Sequence, residues 1–207
     1  AVAVIIFFVK EITKESKKGS FALTFNSSTP EFKLFLAIAA LFALANFSYV
    51  FFVLRAKELG VLDSQAIMLY LLFNVSYAIL AMPTGMLSDR LPRKNIIMLG
   101  YLTFALVCAG FFFAQSLLQV IGLFAAYGFY YALMEGVQKA YVADLVAPET
   151  RGTSYGIFNT MLGLAALPAS FIAGTLWQYF GASATFAYGA ILSFSAAVLL
   201  ALLLKKA

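Results

Sequence analysis

Tyr127, Tyr131 and Glu135 stand four residues apart, and Lys139 continues the spacing, inside the apolar run "LLQVIGLFAAYGFYYALMEGVQKAYV". On a helix this period puts all four on one face. A carboxylate in such a setting is costly and marks a functional site by default. Glu135 has three readings. It carries a proton in a coupled cycle, or it holds a cationic or hydroxyl-rich solute, or it pairs with Lys139 at i,i+4 and merely steadies the helix. Gln138 flanks the column. In two other apolar runs Asn46 stands three residues before Tyr49, and Asn74 three before Tyr77. Such polar and aromatic groups suit a mixed ligand. They also suit helix–helix hydrogen bonds, each worth less than about 2 kcal/mol.

A second constellation is the turn "GMLSDRLPRK", residues 85–94, which gathers one acid and three bases in a chain that is only 11% charged. Gly85 is read as letting a neighbouring backbone approach. Asp89 can face a helix N-terminus, where the dipole favours an anion, or pair with Arg93. Arg90, Arg93 and Lys94 hold the turn in the cytosol and offer donors to carboxylates. Topology anchoring needs only Lys and Arg, so it leaves the acid at the head of the turn unexplained. With Asp144 and Arg151 of "ADLVAPETRG" (143–152), these groups are expected at neighbouring helix ends. There they would form a charge network that closes the cytoplasmic side, a gate rather than a solute site.

The elements that must position these residues are membrane helices. Hydrophobic residues make up 63% of the 207 and mean hydropathy is +0.94, well beyond soluble domains. Water cannot be the solvent for such a chain, and each helical span of a bilayer needs about 20 apolar residues. Strict two-residue alternation, the mark of a barrel, is absent. The fold class is therefore all-α, a multi-pass helical membrane protein. Six runs are placed at 32–54, 64–86, 95–115, 117–142, 153–176 and 184–204. Thr29-Pro30-Glu31 makes a good helix start, with a capping hydroxyl, Pro at the first position and an acid in the first turn. Residues 1–9 read as the end of a preceding transmembrane helix, 10–30 as a cytoplasmic linker, and 31–207 as a six-helix unit.

With no histidine and one cysteine, disulfide frameworks, zinc sites and histidine-ligated haem are excluded, and no cofactor is expected. Cys108 reads as a small core residue. Without paired intramembrane aspartates there is little machinery for catalysis, so the chain is not expected to be an enzyme. The net charge of +5 lies in short loops, which is a topology signal and not a nucleic-acid patch. Lys10, Lys14, Lys17, Lys18, Lys33, Arg90, Arg93, Lys94, Arg151, Lys205 and Lys206 fall on one side, Arg55 and Lys57 on the other. That bias orients the chain with its termini inside the cell membrane. Trp177, Tyr179 and Phe180 then sit at the outer boundary as an aromatic belt. Polarity runs polar, polar, oily, then polar, mixed, oily. This predicts two three-helix repeats, each with a lipid-facing third helix, as in secondary transporters.

Residues 85–94 resemble the signature loop of the major facilitator superfamily, a Gly followed by Asp-Arg and then Arg-Lys, with Pro92 where that loop commonly has Gly. "ADLVAPETRG" is similar to the family's loop between its fourth and fifth, or tenth and eleventh, helices. "GLAALPASFIAG", residues 163–174, looks like the Gly/Pro-rich helix that follows. The resemblance implies twelve spans in two halves, with the first and fourth helix of each half lining a central cavity and the third peripheral. On that basis the chain reads as the C-terminal half. The N-terminal half can carry the same loop, but 117–142 lacks the Arg and spaced glycines found in the fourth helix of proton antiporters. The implied function is secondary active transport of a small solute by alternating access, with protons as a coupling ion and an N-terminal half and lipid as partners. The alternative is a half-size paralogue acting as a dimeric transporter or a non-transporting membrane receptor.

Overall fold

The computed structural model describes residues 28–204. The expected end of a preceding helix, most of the linker, and Lys205 and Lys206 lie outside the described residues. Eight α-helices build six membrane-length units, and no strand occurs among the described residues. The first unit is α1 (Pro30–Ala45) followed by α2 (Val50–Glu58). Then come α3 (Asp63–Arg90) and α4 (Arg93–Phe113). The fourth unit is α5 (Leu117–Met134) followed by α6 (Val137–Leu145). Last are α7 (Arg151–Phe180), entered through a 3-10 turn at Pro148–Thr150, and α8 (Ala182–Leu203).

The helix ends follow local chemistry. Thr29 accepts from the Phe32 amide at 3.2 Å and caps α1. Ser116 and Gln119 form a reciprocal capping box at α5. Gly181 adopts φ 82° between α7 and α8, a left-handed conformation that admits glycine without strain and allows a one-residue turn.

The neighbour relations repeat. The second unit packs on the fourth, and the fifth on the first. The third packs on the fourth and the sixth on the first, while the third and sixth pack on each other. Exchanging the first three units with the last three leaves this set unchanged, as two three-helix repeats require. Both leading units are also interrupted, the first at residues 46–49 and the fourth at 135–136, where the sequence reading had two continuous spans.

All helix ends carrying Lys33, Arg90, Arg93, Lys94 and Arg151 gather at one end of the bundle, here the basic end. Thr29 donates to the Leu145 carbonyl at 2.9 Å there. Lys94 donates to the carbonyls of Ala201, at 3.0 Å, and Leu204, closing the C-terminus of α8, where a cation is favoured. Arg55 does the same at the opposite end, reaching the Ala114 carbonyl after α4 at 3.3 Å. Tyr179 and Phe180 are exposed at that opposite end, as an interfacial belt would be.

The third and sixth units do present apolar residues outward, Leu106 and Phe113 on α4 and Ile191 and Leu202 on α8. Yet the third is the most enclosed unit, with 50% of its apolar window buried against 11% for the second. Apolarity alone could not tell the two apart, because helix–helix packing and lipid select the same side chains. Cys108 is fully buried, beside Gly189 of α8.

Backbone meets backbone where α3 crosses α5 at Gly128. A Cβ there would stand 2.6 Å from the Phe73 carbonyl oxygen and 3.0 Å from the Tyr77 amide nitrogen, and both are backbone atoms that cannot step aside. Gly128→Ala is therefore expected to destabilise the bundle by about 1–3 kcal/mol, the usual range for overpacking. A lowered Tm in detergent, followed by Trp177 fluorescence, checks this.

Candidate functional site

Glu135 lies at the break between α5 and α6, with Gly136 after it. Its carboxylate faces α3, where the Tyr77 hydroxyl donates to Oε2. Glu135 thus takes a partner from a neighbouring helix. The expected i,i+4 pair with Lys139 is not among the ion pairs of the described residues, and Lys139 is exposed. The backbone at Glu135 and Gly136 keeps helical dihedrals, so the difference lies in the side chain: the carboxylate is engaged by the Tyr77 hydroxyl of α3.

Above Glu135 runs a ladder of rings. Tyr77 meets Tyr131 edge-on at 6.3 Å, and Tyr131 meets Phe73 at 5.1 Å. Phe73 continues to Tyr70 at 5.9 Å, and Tyr70 to Tyr49 at 5.5 Å. Tyr127 joins it from behind, 5.1 Å from Phe73 and 4.8 Å from Phe52. The structure therefore brings together Tyr49, Tyr77, Tyr127, Tyr131 and Glu135. Tyr127 is only 2% exposed and belongs to the wall's core, whereas Tyr49 is open. The Tyr77–Tyr131 and Tyr131–Phe73 pairs are edge-to-face and the others tilted or stacked, and aromatic pairs of such geometry contribute roughly 0.5–1.5 kcal/mol each.

The other expected cavity residues are occupied elsewhere. Gln138 donates to the Tyr101 hydroxyl at 3.3 Å, away from the column, and Tyr101 is fully buried. Asn74 donates to the Tyr70 carbonyl at 2.8 Å on its own helix. Asn46 ends α1 at the first break. Sequence reasoning missed Tyr70 and Phe73, whose only signal was their spacing from Tyr77 on one helix face. It also missed Thr84, a buried hydroxyl that reaches the Ala132 carbonyl of α5 at 2.8 Å just before the break.

Two recesses flank these groups. A smaller one of about 300 Å3 is lined by Tyr77, Ala81, Gly85, Ser88, Glu135 and Gly136, with Ala132 and Val137. A larger one of about 510 Å3 at the basic end is lined by Ser88, Asp89, Arg93, Lys94, Asn95 and Asp144, with Leu91, Pro92 and Tyr141. Of the charge network, Arg93 and Asp144 form an ion pair at 2.5 Å, and Arg93 also reaches the Ala140 carbonyl at 3.3 Å. Asp89 does not pair with Arg93, whose guanidinium is taken by α6. Asp89, Arg90 and Arg151 are exposed, with no ion pair among the described residues. Lys94 caps α8. Around Gly85 an added Cβ would meet nothing within 4 Å among the described residues, so the close backbone approach expected there is not made within this six-helix unit. No group of three or more potential metal ligands occurs among the described residues.

Six membrane-length helices in two repeats, with polar groups clustered at helix breaks, define a multi-pass membrane protein built like a transporter. Residues 34–207 match the family model of the Major Facilitator Superfamily, and the chain belongs to that family of the cell membrane. It is 43% identical to an uncharacterised MFS-type transporter of Methanocaldococcus jannaschii over 202 residues, 94% of this chain and 50% of that protein. A second uncharacterised MFS-type transporter of the same organism is 26% identical over 145 residues, 70% of this chain and 37% of the relative. An uncharacterised transporter of Buchnera aphidicola subsp. Acyrthosiphon pisum is 29% identical over 123 residues, 59% of this chain and 31% of the relative. The chain spans half the length, or less, of these curated relatives.

The Tyr77–Glu135 contact predicts energetic coupling. In a double-mutant cycle of Tyr77→Phe and Glu135→Gln, thermal stability is expected to show an interaction of about 1 kcal/mol, at the low end for a hydrogen bond to a charge because the pair is solvent-accessible. Additive losses would count against the contact.

Proposed function

We propose that the chain is one six-helix half, the C-terminal one, of a secondary transporter that moves a small solute by alternating access, with protons coupled through Glu135. The observation that carries this reading is the carboxylate at the α5/α6 break, held by Tyr77 and opening on a recess. Family membership supports transport as the activity. A match covering 50% of a relative's length supports a second, N-terminal half as partner. Interrupted helices at corresponding places in two repeats are where secondary transporters build their sites. An ionisable group there favours ion or solute handling over packing.

In this reading the aromatic ladder forms one wall of the solute cavity, and the rings favour a solute with apolar or aromatic surface. The Arg93–Asp144 pair ties α4 to α6 at the basic end, taken as cytoplasmic, and serves as part of the inner gate. Asp89, Arg90 and Arg151 are free to engage partners from the other half or in another state. Exposed ion pairs contribute roughly 0–1 kcal/mol, which suits a contact that must break in every cycle.

Two outcomes test this. From a panel of amino acids, sugars, organic cations and drugs, a solute that the full-length transporter accumulates in proteoliposomes under a pH gradient is chosen. Glu135→Gln is expected to abolish accumulation while exchange of labelled for unlabelled solute continues. Accumulation at the parental level would contradict proton coupling through Glu135, and loss of exchange as well would assign Glu135 to the solute. Asp144→Asn is expected to slow transport while apparent affinity stays within about threefold, less than 1 kcal/mol. A large affinity loss at unchanged rate would place Asp144 in the solute site instead of the gate.

A further inference from the structure

The two recesses share one residue, Ser88. On α3 the residues Tyr77, Ala81, Gly85 and Ser88 follow spacings of four, four and three, so they form one stripe along the helix. All four line the smaller recess opposite Glu135 and Gly136. The middle of the stripe has almost no side chain. Gly85 has open space where a Cβ would stand, and Ala81 adds only a methyl. The result is a groove whose floor is small residues, whose upper end is the Tyr77–Glu135 pair, and whose lower end is the Ser88 hydroxyl. Ser88 donates to the Gly85 carbonyl at 2.8 Å, so the polar atoms on the floor belong to one local network. Beyond Ser88 lie Asp89, Arg93, Lys94 and Asp144 in the larger recess.

We infer that this stripe is the floor of a water track through which Glu135 exchanges its proton with the basic end of the molecule. The inference rests on Glu135 as proton carrier and adds the route. The carboxyl O–H bond breaks, its proton joins a water in the smaller recess, and an equivalent proton leaves past Ser88 into solution at the basic end. The titratable group facing Glu135 from α3 is Tyr77, with Tyr131 one turn earlier on α5, while Lys139 of α6 is exposed and makes no ion pair with it. Gln138 and Tyr101 of α4 are bonded to each other behind it. The volume is large enough for several waters, each needing about 30 Å3 and two or more polar partners, and Tyr77, Glu135 and Ser88 supply the polar side chains of an otherwise apolar lining. In this reading the missing side chain at Gly85 keeps the track open, since no described residue fills that space.

The test uses a positively charged, membrane-impermeant methanethiosulfonate reagent on vesicles carrying the full chain, applied at the basic face. Cys108, the one cysteine of the chain, is fully buried. Labelling of Glu135→Cys is expected to fall about tenfold or more when Gly85→Leu is added, a barrier placed across the route. Leu is a better helix former than Gly, and the space at Gly85 is open, so Gly85→Leu is compatible with the fold. Labelling of Lys139→Cys, outside the track, is expected to be unchanged by Gly85→Leu. Equal losses at both positions, or none at Glu135→Cys, would overturn the route. Either result leaves the coupling role of Glu135 to its own uptake test.

Discussion

The contact of α3 with α5 at Gly128 sets the distance from which the rest of the site is built. Backbone atoms of Phe73 and Tyr77 sit where a Cβ would otherwise be. In a bilayer the hydrophobic effect does not drive helices together, so small residues and interhelical hydrogen bonds must. Thr84 supplies such a bond to α5 at the Ala132 carbonyl. Held this close, α3 delivers Phe73 to the Tyr127 and Tyr131 rings and the Tyr77 hydroxyl to Glu135. A looser crossing would dissolve the ring ladder and the carboxylate's partner together.

Breaking a helix inside a membrane leaves polar backbone groups without partners, which is tolerated only where protein or a cavity supplies them. Both breaks are served in this way. Tyr188 of α8 donates to the Leu44 carbonyl at 2.9 Å, in the last turn before residues 46–49. Thr84 serves the turn before Glu135. At the basic end Thr29 and Lys94 satisfy the last carbonyls of α6 and α8. Much of the chain's scarce polarity is thus spent on helix ends. Lys94 is engaged in this way, while Gln138 is bonded to the Tyr101 hydroxyl and Asn74 to a carbonyl of its own helix.

The architecture was legible in the sequence because bilayer thickness, apolar run length and loop charge are coupled by simple physics. The six runs match the six units to within a few residues, and the repeat emerged from where polar residues were and were not. Column periodicity picked out Glu135 and its tyrosines correctly as neighbours. It could not foresee the break at Glu135-Gly136, where both residues keep ordinary helical dihedrals and the sequence offers only a glycine. Nor could it foresee that the partner of Glu135 is Tyr77 of the neighbouring helix instead of Lys139. At Gly85 too the sequence stops short: a glycine signals a missing side chain, and only the surroundings, open space among the described residues, tell what takes its place.

Together these features describe a carboxylate at a break between two helices, held by a phenol on its neighbour and lining a recess next to a charged one. The most direct measurement of the account is the infrared difference spectrum between acidic and alkaline pH of the protein in lipid. The account predicts a protonated-carboxyl carbonyl band that Glu135→Gln removes and that Tyr77→Phe moves, since its hydrogen-bond partner is lost. A difference spectrum unaltered by both substitutions would show that this carboxyl does not take up and release a proton, and the account would fail.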